Sequence, residues 1–184
     1  MGEPNQPEDV KLIAGMLANK VELFDAAREL LVKEFGPVES ESGILDFNYT
    51  DYYEKEFGTG IKRKFISFKE LINPGNLASV KIITNNLEKK FLKTPLQNRQ
   101  INIDPGYISC GKLILASTKD QQHRIYLGNG IYAEVTLRFR EGSFEFLEWT
   151  YPDYRTPAYI EIFNQFRQLY MKQRKLNLNL FNTV

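Results

Sequence analysis

A chain of 184 residues, 42% hydrophobic and 13% aromatic, has the size of one domain and can bury about 70% of its unfolded surface without a disulfide or metal staple. One cysteine, Cys110, and one histidine, His123, exclude an internal disulfide and a four-ligand Cys/His zinc site, and the lone thiol favours a reducing compartment. With 24 Lys+Arg against 23 Asp+Glu and a formal net charge of +1, no whole-molecule field draws the chain onto nucleic acid or an anionic membrane.

The opening MGEPNQPEDV is acidic and proline-bearing, unlike a secretory leader, and Gln6 stands where a myristoylation signal needs Ser or Thr. No apolar run approaches the roughly 20 residues that span a bilayer. The expectation is a cytoplasmic protein with no membrane attachment. Residues 11–18, KLIAGMLA, read as a buried strand. Across 21–35, Phe24, Ala27, Leu31 and Phe35 share one face of a helix with Leu23, Ala26 and Leu30, while Glu22, Asp25, Arg28, Glu29 and Lys33 take the other. Gly36-Pro37 stops it. Strands over 44–49 and 61–68 flank the Gly-bearing DYYEKEFGTG.

A second helix starts after Asn76, with Leu77, Val80, Thr84, Leu87 and Phe91 on one side. INIDPGYI then alternates, Ile101 and Ile103 facing in and Asn102 and Asp104 out, until Pro105-Gly106 turns the chain. KLILAST, HRIYL, GIYAEVTLRF and SFEFLEW give four more strands, and a last helix spans about 157–174. The tail LNLNLFNTV reads as an edge strand or as disordered chain. The order βαββαβ, then a meander and a helix, predicts an α+β fold: a ferredoxin-like split βαβ sandwich extended by an antiparallel β-meander and a C-terminal helix. Nothing marks a second domain, so residues 1–184 read as one, with 1–9 and 176–184 flexible.

Alternation in the late hairpin sorts its residues. Ile131, Ala133, Val135 and Leu137 face the core with Ile125 and Leu127, leaving Arg124, Tyr126, Tyr132, Glu134 and Thr136 outward. A three-residue Gly128-Asn129-Gly130 loop, rather than a two-residue turn, keeps this parity and pairs Arg124 with Glu134. Such a tyrosine-lined, charge-bearing face suits a ligand, although an exposed cross-strand ion pair alone would also explain Arg124 and Glu134. WTYPDYR adds Trp149, Tyr151, Asp153, Tyr154 and Arg155, which can stack a planar ligand and meet an anionic group.

Several motifs fall short of their chemistry. Gly106 to Lys112 approaches the phosphate-cradling G-x-x-x-x-G-K-[ST], but Leu113 replaces the metal-binding hydroxyl and strand, not helix, follows. Lys62-Arg63-Lys64 reads as a solvated strand edge. Three hypotheses stand side by side. The first is binding of a small anion, a nucleotide or phosphorylated metabolite: Lys119, Arg124 and Arg155 meet its oxygens, Tyr126, Tyr132 and Trp149 stack, and Glu134 orients it. The second is metal-assisted hydrolysis or phosphoryl transfer, in which Asp104, Glu134 and Asp153 hold a divalent ion such as magnesium and His123 relays a proton. The third is an RNA or protein interaction module. Whether the chain is an enzyme, and its oligomeric state, are not legible.

The segments Asp51–Gly58, Asn102–Tyr107, Lys119-Asp120, His123–Leu127, Gly130–Leu137 and Trp149–Tyr154 together resemble the family called domain of unknown function 4416. Its bacterial and archaeal members have similar length and sometimes carry a GTP-binding label. The resemblance covers nearly the whole chain. It implies that Asp104, Tyr107, Lys119, Asp120, His123, Arg124, Glu134, Trp149 and Asp153 are the positions to test first.

Overall fold

The computed structural model describes residues 2–92 and 98–181. Strands β1 (Val10–Ala18), β2 (Val38–Glu41), β3 (Leu45–Asp46), β4 (Lys62–Ile72), β5 (Ile101–Ile108), β6 (Lys112–Ser117), β7 (Ile125–Gly128), β8 (Ile131–Arg140) and β9 (Ser143–Phe146) form one sheet. Its order is β2-β4-β1-β5-β6-β8-β7, every neighbouring pair being antiparallel, with β3 on β4 and β9 on β8. The helices are α1 (Glu22–Phe35), the single turn α2 (Glu54–Phe57), α3 (Leu77–Lys89) and α4 (Pro157–Phe181). The fold is α+β, and the position of β4 between β2 and β1 is compatible with the split βαβ arrangement.

Every residue of β1 is buried because both of its faces are covered. Leu12, Ala14, Met16 and Ala18 pack against α1 and α3 through Phe24, Ala27, Leu31, Val80 and Leu87. Ile13 on the opposite face joins Phe65, Ile108, Leu113 and Leu137 beneath Tyr159, Phe163 and Phe166 of α4. This explains the unbroken apolar run, since a strand covered on one face only would alternate. The β-branched stretch of α3 stays helical because Val80 and Leu87 bury against the sheet, so packing overrides local propensity.

Several local expectations are corrected. Of the strand expected over 44–49 only the two-residue β3 forms, β2 lies ahead of it where none was expected, and DYYEKEFGTG carries a helical turn and α2. Residues up to Phe181 of the tail continue α4 rather than form an edge strand; residues 182–184 lie outside the described set. Near the other end, Glu8 pairs with Arg174 at 2.6 Å and the Tyr170 hydroxyl donates to Asp9 O at 3.0 Å, tying both residues to α4. The hairpin has the expected Ile125–Ala133 and Tyr126–Tyr132 pairs. It reaches them by another route, with Leu127 bulged and positive φ at Asn129 and Gly130 (54° and 74°), as a two-residue type I′ turn requires.

Face assignments differ more. A register shift between Leu113 and Ile114 leaves Thr136 unpaired on β8, and such a bulge exchanges the faces on either side of it. Leu137 therefore packs beneath α4, whereas Ile131, Ala133 and Val135 pack with Leu77 and Ala78 of α3. Glu134 and Thr136, expected outside, are buried at 3% and 0% exposure, while Ile125, expected in the core, is 72% exposed.

The chain does not turn at Pro105-Gly106. β5 runs straight through to Ile108 and meets β6 at three positions only, Gly106–Leu115, Tyr107–Ile114 and Ile108–Leu113. At this junction a Cβ on Gly106 would lie 2.2 Å from the carbonyl oxygen of Ile114, so the close approach of the two backbones requires glycine. Pro105, lacking an N–H, contributes no ladder donor. On the Ile101 side of this junction β5 and β6 share no pairs, and the sheet parts. Gly106→Ala should cost about 1–3 kcal/mol by forcing this junction apart, read as a lowered urea midpoint; an unchanged midpoint would show that the junction is not tight.

Candidate cleft between the parted strands

The parting opens a cavity of about 560 Å³, within the range of small-molecule sites. Its walls come from distant parts of the chain: Arg63 on β4, Lys81 and Glu88 on α3, Asn102 and Asp104 on β5, Glu134 on β8, and Tyr151, Asp153 and Tyr154 before α4. Tyr52, Tyr53, Lys119 and Arg124 complete the lining, with Lys119 Nζ donating to the Tyr52 hydroxyl at 3.0 Å.

Arg63 organises the inner end. Within KRKFISF the alternation of β4 sends Lys62 to Asp46 and Lys64 to Glu41, while Arg63 points inward with Phe65 and is 3% exposed. Its guanidinium lies 5.2, 5.4 and 5.7 Å from the ring centres of Phe47, Phe65 and Tyr154. Nη2 donates to Asp153 Oδ2 at 3.0 Å, and Nη1 stands 3.8 Å from Asp104 Oδ2. Room for it comes from Gly15, which pairs with both Phe65 and Asp104. A Cβ there would sit 2.9 Å from Phe65 and 3.2 Å from Arg63 Nη1.

From Asp104 a chain of bonds runs along one wall. Asp104 accepts from Asn102 at 2.6 Å and from Lys81 Nζ at 3.4 Å, and Lys81 also donates to Ile103 O at 3.0 Å. Arg99 clasps Glu56 with two 2.8 Å bonds and donates to Glu88 and Asn102 at 2.8 and 3.1 Å. Glu88 accepts in turn from the Ile103 amide at 2.6 Å. The opposite wall centres on Glu134, which accepts from Arg124 Nε at 2.8 Å and Thr136 at 3.1 Å, with His123 Nε2 at 3.3 Å. Arg124 bonds further to Ser117, Lys119 O and Tyr151 at 2.9, 2.8 and 2.5 Å. The expected Arg124–Glu134 pair is thus present, but buried.

Of the residues singled out from the sequence, Asp104, Lys119, Arg124, Glu134, Tyr151, Asp153 and Tyr154 line the cleft. His123 reaches it through Glu134 and stacks on Trp149, their rings 5.5 Å apart. Trp149 and Arg155 donate to the backbone of Val135, Thr150 and Glu148, and Thr136 braces Glu134. Tyr126 and Tyr132 contact each other on the hairpin. Tyr107 lines a separate, smaller hollow with Cys110, and Asp120 is exposed. Arg63, Lys81, Glu88, Arg99 and Asn102 were missed. The parity of Arg63 with Phe65, and the i, i+7 placement of Lys81 and Glu88 on one flank of α3, were the available signals.

Asp104 and Asp153 flank Arg63 and Glu134 holds Arg124, so each expected metal-binding carboxylate faces a guanidinium. Among the described residues no cluster of three or more His, Cys, Asp or Glu side chains is arranged to hold a metal ion, and no helix is long and apolar enough to cross a membrane. The Lys62-Arg63-Lys64 run is consumed by acidic partners and a buried site rather than presented as a basic edge.

The two carboxyls beside Arg63 titrate in opposite senses. Burial pushes Asp104 up, but Lys81, Arg63 and Asn102 outweigh it and hold the group below the usual carboxylate range. Burial of Asp153 wins over Arg63 and raises it. A depressed acid contributes stability present above its unfolded value, about 3.9, and lost as pH falls through the native value; a raised acid contributes stability present below 3.9 or so and lost as pH rises through its native value. Calorimetry should therefore find the stability difference between wild type and Asp104→Asn growing in favour of wild type as pH rises across the acid range, and that for Asp153→Asn shrinking. Parallel trends would contradict the assignment.

In comparison with known proteins, the family model described as Domain of unknown function (DUF4416) matches residues 8–170. No curated protein and no solved structure matches the chain.

Proposed function

The chain belongs to the family of domain of unknown function 4416, and we propose that the cleft between β5 and β6 is a binding site for a small anionic ligand, a nucleotide or phosphorylated metabolite. The observation that carries this reading is the cleft's charge: six cationic side chains, Arg63, Lys81, Lys89, Arg99, Lys119 and Arg124, line it against four acidic ones. Their availability differs. Arg124 spends four of its five donors on Glu134, Ser117, Lys119 O and Tyr151, and the reading gives it the bracing of the wall. Lys119 is exposed, 4.2 Å from the Tyr52 ring centre, and Lys81 keeps one of its three donors beyond Ile103 and Asp104.

Tyrosines supply the surface for a planar part of the ligand. Tyr52, Tyr53, Tyr151 and Tyr154 line the cleft, and aromatic faces offer contact area at low entropic cost. The reading assigns anion contact to Lys81 and Lys119 and stacking to the tyrosines. The engagement of Asp104, Asp153 and Glu134 by arginines makes it the better supported alternative to metal-assisted hydrolysis.

A thermal-shift screen of nucleotides and phosphorylated metabolites tests it. A ligand at about 100 times its Kd adds about 2.7 kcal/mol, a rise of roughly 5–10 °C for a chain of this size. Lys119→Gln should weaken the same ligand about 10–100-fold by removing a charge-assisted bond while the unliganded melting temperature holds. A screen with no rise, or a hit indifferent to Lys119→Gln and Lys81→Gln, would overturn the proposal.

A further inference from the structure

Five buried side-chain polar atoms lack a hydrogen-bond partner among the described residues, and four of them belong to Arg63, Tyr154 and Tyr159: Arg63 Nε, Arg63 Nη1 and the two phenol oxygens. They are neighbours. Tyr154 and Tyr159 both meet the edge of Phe65, at 5.9 and 4.7 Å between ring centres, and lie 5.7 Å from each other. The Arg63 guanidinium lies 5.7 Å from the Tyr154 ring centre, and its charge acts on both phenols. A buried donor left unbonded costs about 1–3 kcal/mol; Tyr159 lies in the core behind, but Arg63 and Tyr154 both line the inner end of the cleft, and their unbonded atoms call for an acceptor from outside the chain.

Local charge limits what that acceptor is. Two cations, Arg63 and Lys81, already face two carboxylates, Asp104 and Asp153. A phosphate brought to Arg63 would add repulsion from both carboxylates in a poorly hydrated place, whereas an uncharged oxygen would take the free donors without it. Phe47, Tyr53 and Tyr154 beside Arg63 offer flat apolar faces. We propose that the inner end of the cleft accepts a planar ring through a ring carbonyl oxygen bonded by Arg63 and Tyr154, while the anionic part of the ligand lies outward beside Lys119. This rests on the anion-binding reading and adds to it the polarity of the bound molecule and the chemistry of its buried end.

The test compares matched nucleotides in which one ring carbonyl is exchanged for an amino group: uridine against cytidine 5′-monophosphate, and inosine against adenosine 5′-monophosphate, titrated calorimetrically into the full chain. The carbonyl member of whichever pair binds should be favoured at least about tenfold, the worth of a hydrogen bond to a charged donor. Tyr154→Phe should reduce that preference without lowering the unliganded melting temperature, because it deletes an unbonded hydroxyl. It also keeps the test readable if Arg63→Lys fails to fold. Equal affinities, preference for the amino members, or a preference untouched by Tyr154→Phe would overturn the inference and leave the anion site standing. Failure of all four to bind while inorganic phosphate raises the melting temperature would do the same. Failure of every phosphorylated compound would overturn both.

Discussion

The burial of one guanidinium conditions the rest of this molecule. Desolvating a charge costs several kcal/mol even after relaxation, and Arg63 recovers it from parts of the chain that have no other reason to meet. Asp153 comes from the turn before α4, Asp104 from β5, the aromatic walls from Phe47, Phe65 and Tyr154, and the space from Gly15. Removing one partner of such a pair leaves the other buried and uncompensated, at about 3–5 kcal/mol. The arrangement is weak support for stability in itself, since an apolar cluster of the same volume would serve as well. Its incompleteness points toward function: the protein bonds one side of Arg63 and leaves the other unbonded.

The parted sheet follows the same logic. Antiparallel strands with no obstacle would continue to pair, yet β5 and β6 stop after three positions. Lys81 and Glu88 reach the opening from α3, bonding Ile103 O and Ile103 N, so β5 backbone groups near the opening are satisfied by side chains where a neighbouring strand is missing. Arg99, Asn102 and Asp104 extend this wall, and Glu134 with Arg124 and His123 builds the other. Two bonded walls around an unpaired stretch give a cleft held open by hydrogen bonds.

Much of the fold was legible in the sequence. The helical stripes of α1, α3 and α4, the unbroken apolar run of β1 and the hairpin pairs at Tyr126 and Ile125 follow from periodicity and parity. The site was half legible. Arg124–Glu134 emerged from register, and Asp104, Asp153 and Tyr154 from their setting among Pro, Gly and aromatics. Arg63 was hidden because charge runs usually lie in solvent, although its alternation with Phe65 argued otherwise. The bulge at Thr136 was hidden too, since a one-residue insertion against β6 depends on the partner strand and leaves no mark in the β8 sequence. That bulge carries Leu137 across to the face that Glu134 holds, so the side read as solvent-facing is packed and Glu134 becomes a buried wall of the cleft.

The central claim is that a small anionic molecule completes this cleft. Native mass spectrometry of the full chain, purified without denaturation and with elemental analysis for phosphorus, tests it most directly. The account predicts a chain carrying one phosphorus-bearing adduct, retained by the folded protein and lost on unfolding or in Lys81→Gln. A chain that keeps its own mass, both as purified and in excess nucleotides and phosphorylated sugars, would contradict it.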